Sequence, residues 1–180
     1  MNLKILIKIL KNGYKRFFLP GDIYLRSLGA EVGSNCRILT SSFGSEPWLI
    51  SIGNNVTITS GVKILNHDGA AWLINDEKGR RYSYKKVTIG NNVFIGVNSI
   101  IMPGVVVENE VIIAAGSVVT KSVPKGKIVG GNPAKIIGNF SDYKNKALAK
   151  FVSDEDLNNK LDKKERINLV VDYINKDYYK

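Results

Sequence analysis

His67 is the only histidine among the 180 residues, and its imidazole is the one side-chain type here suited to carry a proton near neutral pH without special tuning. It lies in Asn66-His67-Asp68, where a regular pattern gives way to the irregular stretch 66–86. A lone histidine is more often a satisfied polar residue than a catalyst, so the elements around it have to decide. Being single, it excludes a three-histidine metal site. Cys36 is also alone, which excludes an internal disulfide and fits a reducing compartment. No Ser or Cys is paired with His67 by a visible pattern, so a covalent intermediate is not expected.

Cations are the second chemical resource. The formal net charge is +10, unevenly spread. Residues 1–19 hold Lys4, Lys8, Lys11, Lys15 and Arg16 and no acid, and 121–150 hold seven lysines against Asp142. Between Val87 and Thr120 there is no cation at all. Basic surface serves nucleic acid, an anionic membrane or a phosphorylated small ligand. With no aromatic–basic interleaving and no nucleic-acid module, nucleic acid is the weakest of these readings.

The elements that must position these groups follow a period of six. Ile52, Ile58 and Ile64, then Ile89, Ile95, Ile101, Val107, Ile113 and Val119, keep one phase on either side of residues 66–86. A small or β-branched residue follows four positions later at Val93, Ser99, Val105, Val111 and Ser117. Neither the helical period of 3.6 nor the strand period of two fits. A short strand and a bend, stacked on copies of itself, does fit: this is the hexapeptide parallel β-helix. Residues 66–86 cannot sit inside that stack and must loop out, with Trp72, Tyr82 and Tyr84 as their aromatic content and Arg80, Arg81, Lys85 and Lys86 around them.

Residues 2–19 read as an amphipathic helix ended by Pro20, covering the open end of the coil or lying in a membrane interface with its lysines among anionic headgroups. From Tyr24 the hexads begin irregularly; 40–49 break register, with Trp48 read as core or interface packing. About 142–178 reads as helical, with Ser153 and the following acids as a start and Ile167, Val170, Val171 and Ile174 as its apolar face. The domain reading is an N-terminal helix at 1–20, a β-helix at 21–138 and a helical extension at 139–180. No apolar run spans a membrane and no secretory signal is visible, so a cytoplasmic setting is expected, with peripheral contact at the inner membrane face as the variant.

The stretches Val87 to Gly96, Pro103-Gly104-Val105, Ala114 to Lys121, Gly131-Asn132-Pro133-Ala134-Lys135 and Asn66-His67-Asp68 together resemble the hexapeptide-repeat acyltransferases, in particular the galactoside, maltose and capsular-polysaccharide O-acetyltransferases. The resemblance implies an all-β core, a left-handed parallel β-helix with a protruding loop and terminal helices, assembled as a homotrimer with active sites between neighbouring prisms. It implies transfer from acetyl-CoA directly to a sugar or polysaccharide precursor, with His67 as general base, a role that typically supplies ~10²–10⁴ in rate, and no metal. Asn66, Asp68 and Trp72 then read as acceptor contacts, and Phe94, Ala115, Thr120, Lys121 and Lys135 as coenzyme contacts. Many relatives carry Trp in place of Phe94, and several carry Arg in place of Gly138. Alternatives are N-acetylation of an amino sugar or antibiotic, and a non-catalytic scaffold of the same fold.

Overall fold

The computed structural model describes residues 13, 14, 16, 18–157 and 161–171. Each hexad contributes two or three extended residues and then a bend, and successive strands fall on three faces in turn. The first face stacks Glu31–Val32, Ile50–Ile52, Val87–Ile89 and Val106–Val107. The second stacks Arg37–Ile38, Val56–Ile58, Val93–Ile95, Ile112–Ile113, Lys127–Gly130 and Lys135–Asn139. The third stacks Lys63–Ile64, Ile100–Ile101 and Val118–Val119. Pairing within these faces is parallel except for the last two strands of the second. Asn91 and Asn109, at equivalent corners, are 18 residues apart, which is three hexads per turn. Asn54 and Asn91 are 37 apart, yet Ile58 still pairs with Ile95 and Ile64 with Ile101, so the inserted loop leaves the register intact.

The interior is the repeat itself. All nine in-phase aliphatic residues are buried, as are the residues four positions on. Each fully buried isoleucine contributes about 1.5–3 kcal/mol of transfer free energy. Ser99 and Ser117 are buried too, and both donate their hydroxyls to the carbonyl of Ala114, at 3.0 and 2.6 Å.

The Gly-Asn-Asn corners have a double cause. Asn55 and Asn92 hold φ near +55°, a left-handed conformation that asparagine tolerates better than most residues. The asparagines before them form a ladder along the prism: the Asn54 N–H donates to Asn91 Oδ1 and the Asn91 N–H to Asn109 Oδ1, each at 2.7 Å. A Cβ on Gly90 would stand 2.6 Å from that Asn109 oxygen, so the ladder requires glycine there.

The N-terminal end is closed by an element the sequence pattern did not suggest, helix α1 (Gly21–Ser27). The seven residues after Pro20 are thus helical, and irregular hexads begin later than Tyr24, with the strand at Glu31–Val32. Tyr24 and Leu25 are buried, the Tyr24 ring lying 6.4 Å from that of Phe43. Arg26 ties the helix to the coil by donating to the carbonyls of Val32 and Gly33. Of the apolar residues of the expected helix at 2–19, Leu3, Ile7, Leu10 and Phe17 lie outside the described residues and Tyr14 is among them. Gly13, Tyr14, Arg16 and Phe18 are helical, with the Tyr14 and Phe18 rings stacked at 4.6 Å. Trp48 is not core: it is 60% exposed, in a 3-10 turn at Pro47–Leu49. Among the described residues no helix is long and apolar enough to cross a membrane.

The chain divides into two compact parts between Ser141 and Asp142. Helix α2 (Phe140–Lys150) runs across that division, and helix α3 (Lys163–Val170) follows a break. Ser153 does not start a helix. Its N–H and hydroxyl both donate to Asp156 Oδ2, at 2.9 and 2.7 Å, closing a local turn instead. The cap belongs to Asp162, whose carboxylate accepts from the N–H groups of Lys164 and Glu165. Ile167 and Val171 are exposed, and Ile174 lies outside the described residues.

Candidate active site

The third face delivers the histidine. Ile64 is the last inward residue of its turn, and the Leu65 N–H still donates to the Ile101 carbonyl at 3.0 Å. The chain then leaves the prism as the first strand of an antiparallel ribbon. Lys85 N–H donates to the Asn66 carbonyl at 2.7 Å, Asp68 N–H donates to the Ser83 carbonyl at 2.9 Å, and His67 bridges Tyr84 between them. A two-stranded hairpin, Asn75–Asp76 with Gly79–Arg80, ends the arm. His67 is therefore held by main-chain bonds on both sides, at the root of the arm.

Its ring is oriented by a residue the sequence reading left without a role. Glu46 Oε2 lies 2.7 Å from His67 Nδ1, with the histidine side chain 37% exposed and the glutamate 14%. An ionised carboxylate only accepts, so Nδ1 carries the proton and Nε2 presents a lone pair. Among the described residues Nε2 has no partner. Glu46 comes from 40–49, read as a break in register; in fact Ser42 bridges Lys63 in parallel, and that segment continues the third face. Glu46 and His67 are 21 residues apart, the same offset as Ser42 and Lys63, so Glu46 sits one turn along the coil from His67.

Two clefts meet at His67. One, of about 390 Å³, is lined by Leu65, His67, Asp68, Lys85, Met102, Pro103 and Thr120 among others. It lies against the corner where Leu65, Met102 and Thr120 end successive strands of the third face. The other, of about 230 Å³, is lined by Ser45, Glu46, His67, Asp68 and the returning strand of the arm, Arg80 to Tyr84. Beside that strand a guanidinium and four rings form a row. Arg80 Cζ is 4.0 Å from the centroid of Trp72 and 4.5 Å from that of Tyr82. Tyr82 stacks on Tyr84 at 6.0 Å, and Tyr84 meets His67 edge-on at 6.2 Å.

The residues singled out in the sequence separate into two sets. His67, Asp68 and Thr120 share the larger cleft. Asp68 is also a cap, its Oδ1 accepting from the Ala70 N–H at 2.9 Å to start the 3-10 turn Gly69–Leu73. Asn66 is fully buried and lines neither cleft, so contact with an acceptor is not open to its side chain; its carbonyl anchors the arm instead. Trp72 lines neither cleft and acts on Arg80. Lys121 follows Thr120 on the exposed surface. Phe94, outward on the second face, Ala115, at the next corner against Gly96, and Lys135, on the final strand, line neither cleft within one chain.

Comparison with known proteins agrees with this architecture. The family profile described as the hexapeptide repeat of succinyl-transferase matches residues 86–121. The chain is 44% identical over 148 residues to protein CapG of Staphylococcus aureus, covering 81% of this chain and 83% of that one. It is 34% identical over 116 residues to the galactoside O-acetyltransferase of Escherichia coli K12, covering 61% of this chain and 57% of that one. The crystal structure of a maltose O-acetyltransferase from Clostridium difficile 630 superposes with a TM-score of 0.53 at 26% identity, over 71% of this chain and 81% of that one. The chain belongs to the hexapeptide-repeat acetyltransferases, and its coil is the left-handed parallel β-helix of that family.

Proposed function

We propose that the protein transfers an acetyl group from acetyl-CoA directly to a hydroxyl of a sugar or polysaccharide precursor. The observation that carries this reading is the Glu46–His67 pair at the meeting point of two clefts, which leaves a basic Nε2 between them. The larger cleft, which includes Thr120, takes the thioester end of the donor, and the smaller takes the acceptor. Nε2 removes the hydroxyl proton as that oxygen attacks the thioester carbonyl. The tetrahedral intermediate then collapses to the O-acetyl ester, and the departing thiolate takes the proton back from the imidazolium. Glu46 stabilises the imidazolium while it exists, the part a carboxylate plays behind a catalytic histidine. Relatives named for galactoside and maltose O-acetylation support a sugar hydroxyl over an amine. Matches to N-acetyltransferases of a dicarboxylate cover only 33% of this chain.

A homotrimer is part of the same proposal. Phe94, Ala115 and Lys135 lie away from the His67 clefts of their own chain, so a donor touching both sets is accommodated in a groove between copies. Incubating the protein with acetyl-CoA and a panel of sugars, following thiol release and the base-labile ester by mass spectrometry, tests the activity. Ester formation on a sugar is expected; an alkali-stable amide on amino sugars alone would replace this reading with N-acetylation.

A further inference from the structure

The two arginines that reach the smaller cleft differ in what holds them. Arg81 is ion-paired with Asp76 of the hairpin. The Arg80 guanidinium has no hydrogen bond or carboxylate among the described residues; it lies against the rings of Trp72 and Tyr82, at 4.0 and 4.5 Å. Contact with the rings uses the faces of the planar group and leaves its N–H edge, the part that binds oxyanions in bidentate fashion, unengaged. Such a side chain has already given up much of its rotamer freedom, so capturing a ligand costs it less ordering. The carboxylates of the same cleft are each engaged within the chain: Glu46 by His67 Nδ1 and Asp68 by the Ala70 N–H. Both carboxylates keep their negative charge, so what Arg80 adds to the cleft is a guanidinium N–H edge with no partner among the described residues, the group there suited to an oxyanion.

We infer that Arg80 is an oxyanion receptor beside His67, and that the acceptor is a saccharide bearing a carboxylate or a phosphate. The word acceptor rests on the acetyl-transfer reading above; the anion site itself rests on the arm. Trp72 and Tyr82 are positioning residues here, holding the guanidinium at the cleft.

The test is calorimetric titration of the full chain, wild type and R80Q, with glucuronate, galacturonate and glucose 1-phosphate against glucose and galactose. At least one anionic sugar is expected to bind about tenfold or more tightly than its neutral counterpart. That ratio should fall to about one in R80Q, survive in part in R80K, and shrink as salt rises. Tighter binding of the uronates assigns a carboxylate, and tighter binding of the phosphate assigns a phosphoryl group. No preference for charge in the wild type, or a preference that persists in R80Q, overturns the inference. Thiol release with the same sugars keeps the two readings apart. Acetylation indifferent to sugar charge removes the anion site and leaves the transferase; charge-dependent binding with no acetylation of any sugar does the reverse.

Discussion

Glu46 decides what His67 can do. An imidazole alone at the root of the arm would interconvert between tautomers, and a carboxylate at 2.7 Å from Nδ1 selects the one with a basic Nε2. Glu46→Gln keeps the shape but offers an amide N–H that stabilises the other tautomer. It is expected to lower kcat by at least about tenfold with little change in KM, as steady-state kinetics would read. An unchanged kcat would mean that Glu46 does not orient the ring. The sequence exposed His67 through its uniqueness and its place beside the loop. It hid Glu46, because 40–49 departs from the six-residue spacing although Ser42 still pairs with Lys63.

The hexads were legible because a period of six admits few structures, and the left-handed corners repeat the same Gly-Asn-Asn words. Those corners can be tested. Asn92 holds φ +56° and accepts from Asn55 Nδ2 at 2.8 Å. Asn92→Ala is expected to destabilise by about 1–2 kcal/mol, and Asn92→Gly by less because glycine enters this region freely. Urea midpoints would check the order; alanine better tolerated than glycine would refute the conformational account. Ile101→Ala, at a fully buried position, should cost about 2–5 kcal/mol in the same measurement. Electrostatics adds a sign. The Ser51 hydroxyl, and then Lys86, hold the Glu31 carboxyl below its ordinary range. The small stability this contributes is present above that range and lost as pH falls through the lowered value, so Glu31→Gln should remove that part of the acid dependence. Helix α1 and the break before α3 were not legible. Pro20 hid the first by ending one helical pattern immediately before another, and Ser153 mimicked a cap while closing a turn with Asp156.

At the scale of the whole molecule, the coil is a scaffold that carries one histidine to the junction of two clefts and spaces the candidate donor contacts elsewhere on the prism. If copies complete the site, sedimentation equilibrium should give three times the 19.9 kDa chain mass, and a fully active monomer would remove the groove between subunits from the account. The most direct test is acetyl transfer by His67→Ala, with CoA binding and the unfolding midpoint measured on the same preparation. The account predicts a loss of about 10²–10⁴-fold in kcat with CoA affinity and folding retained. Transfer at the wild-type rate from that variant would contradict it.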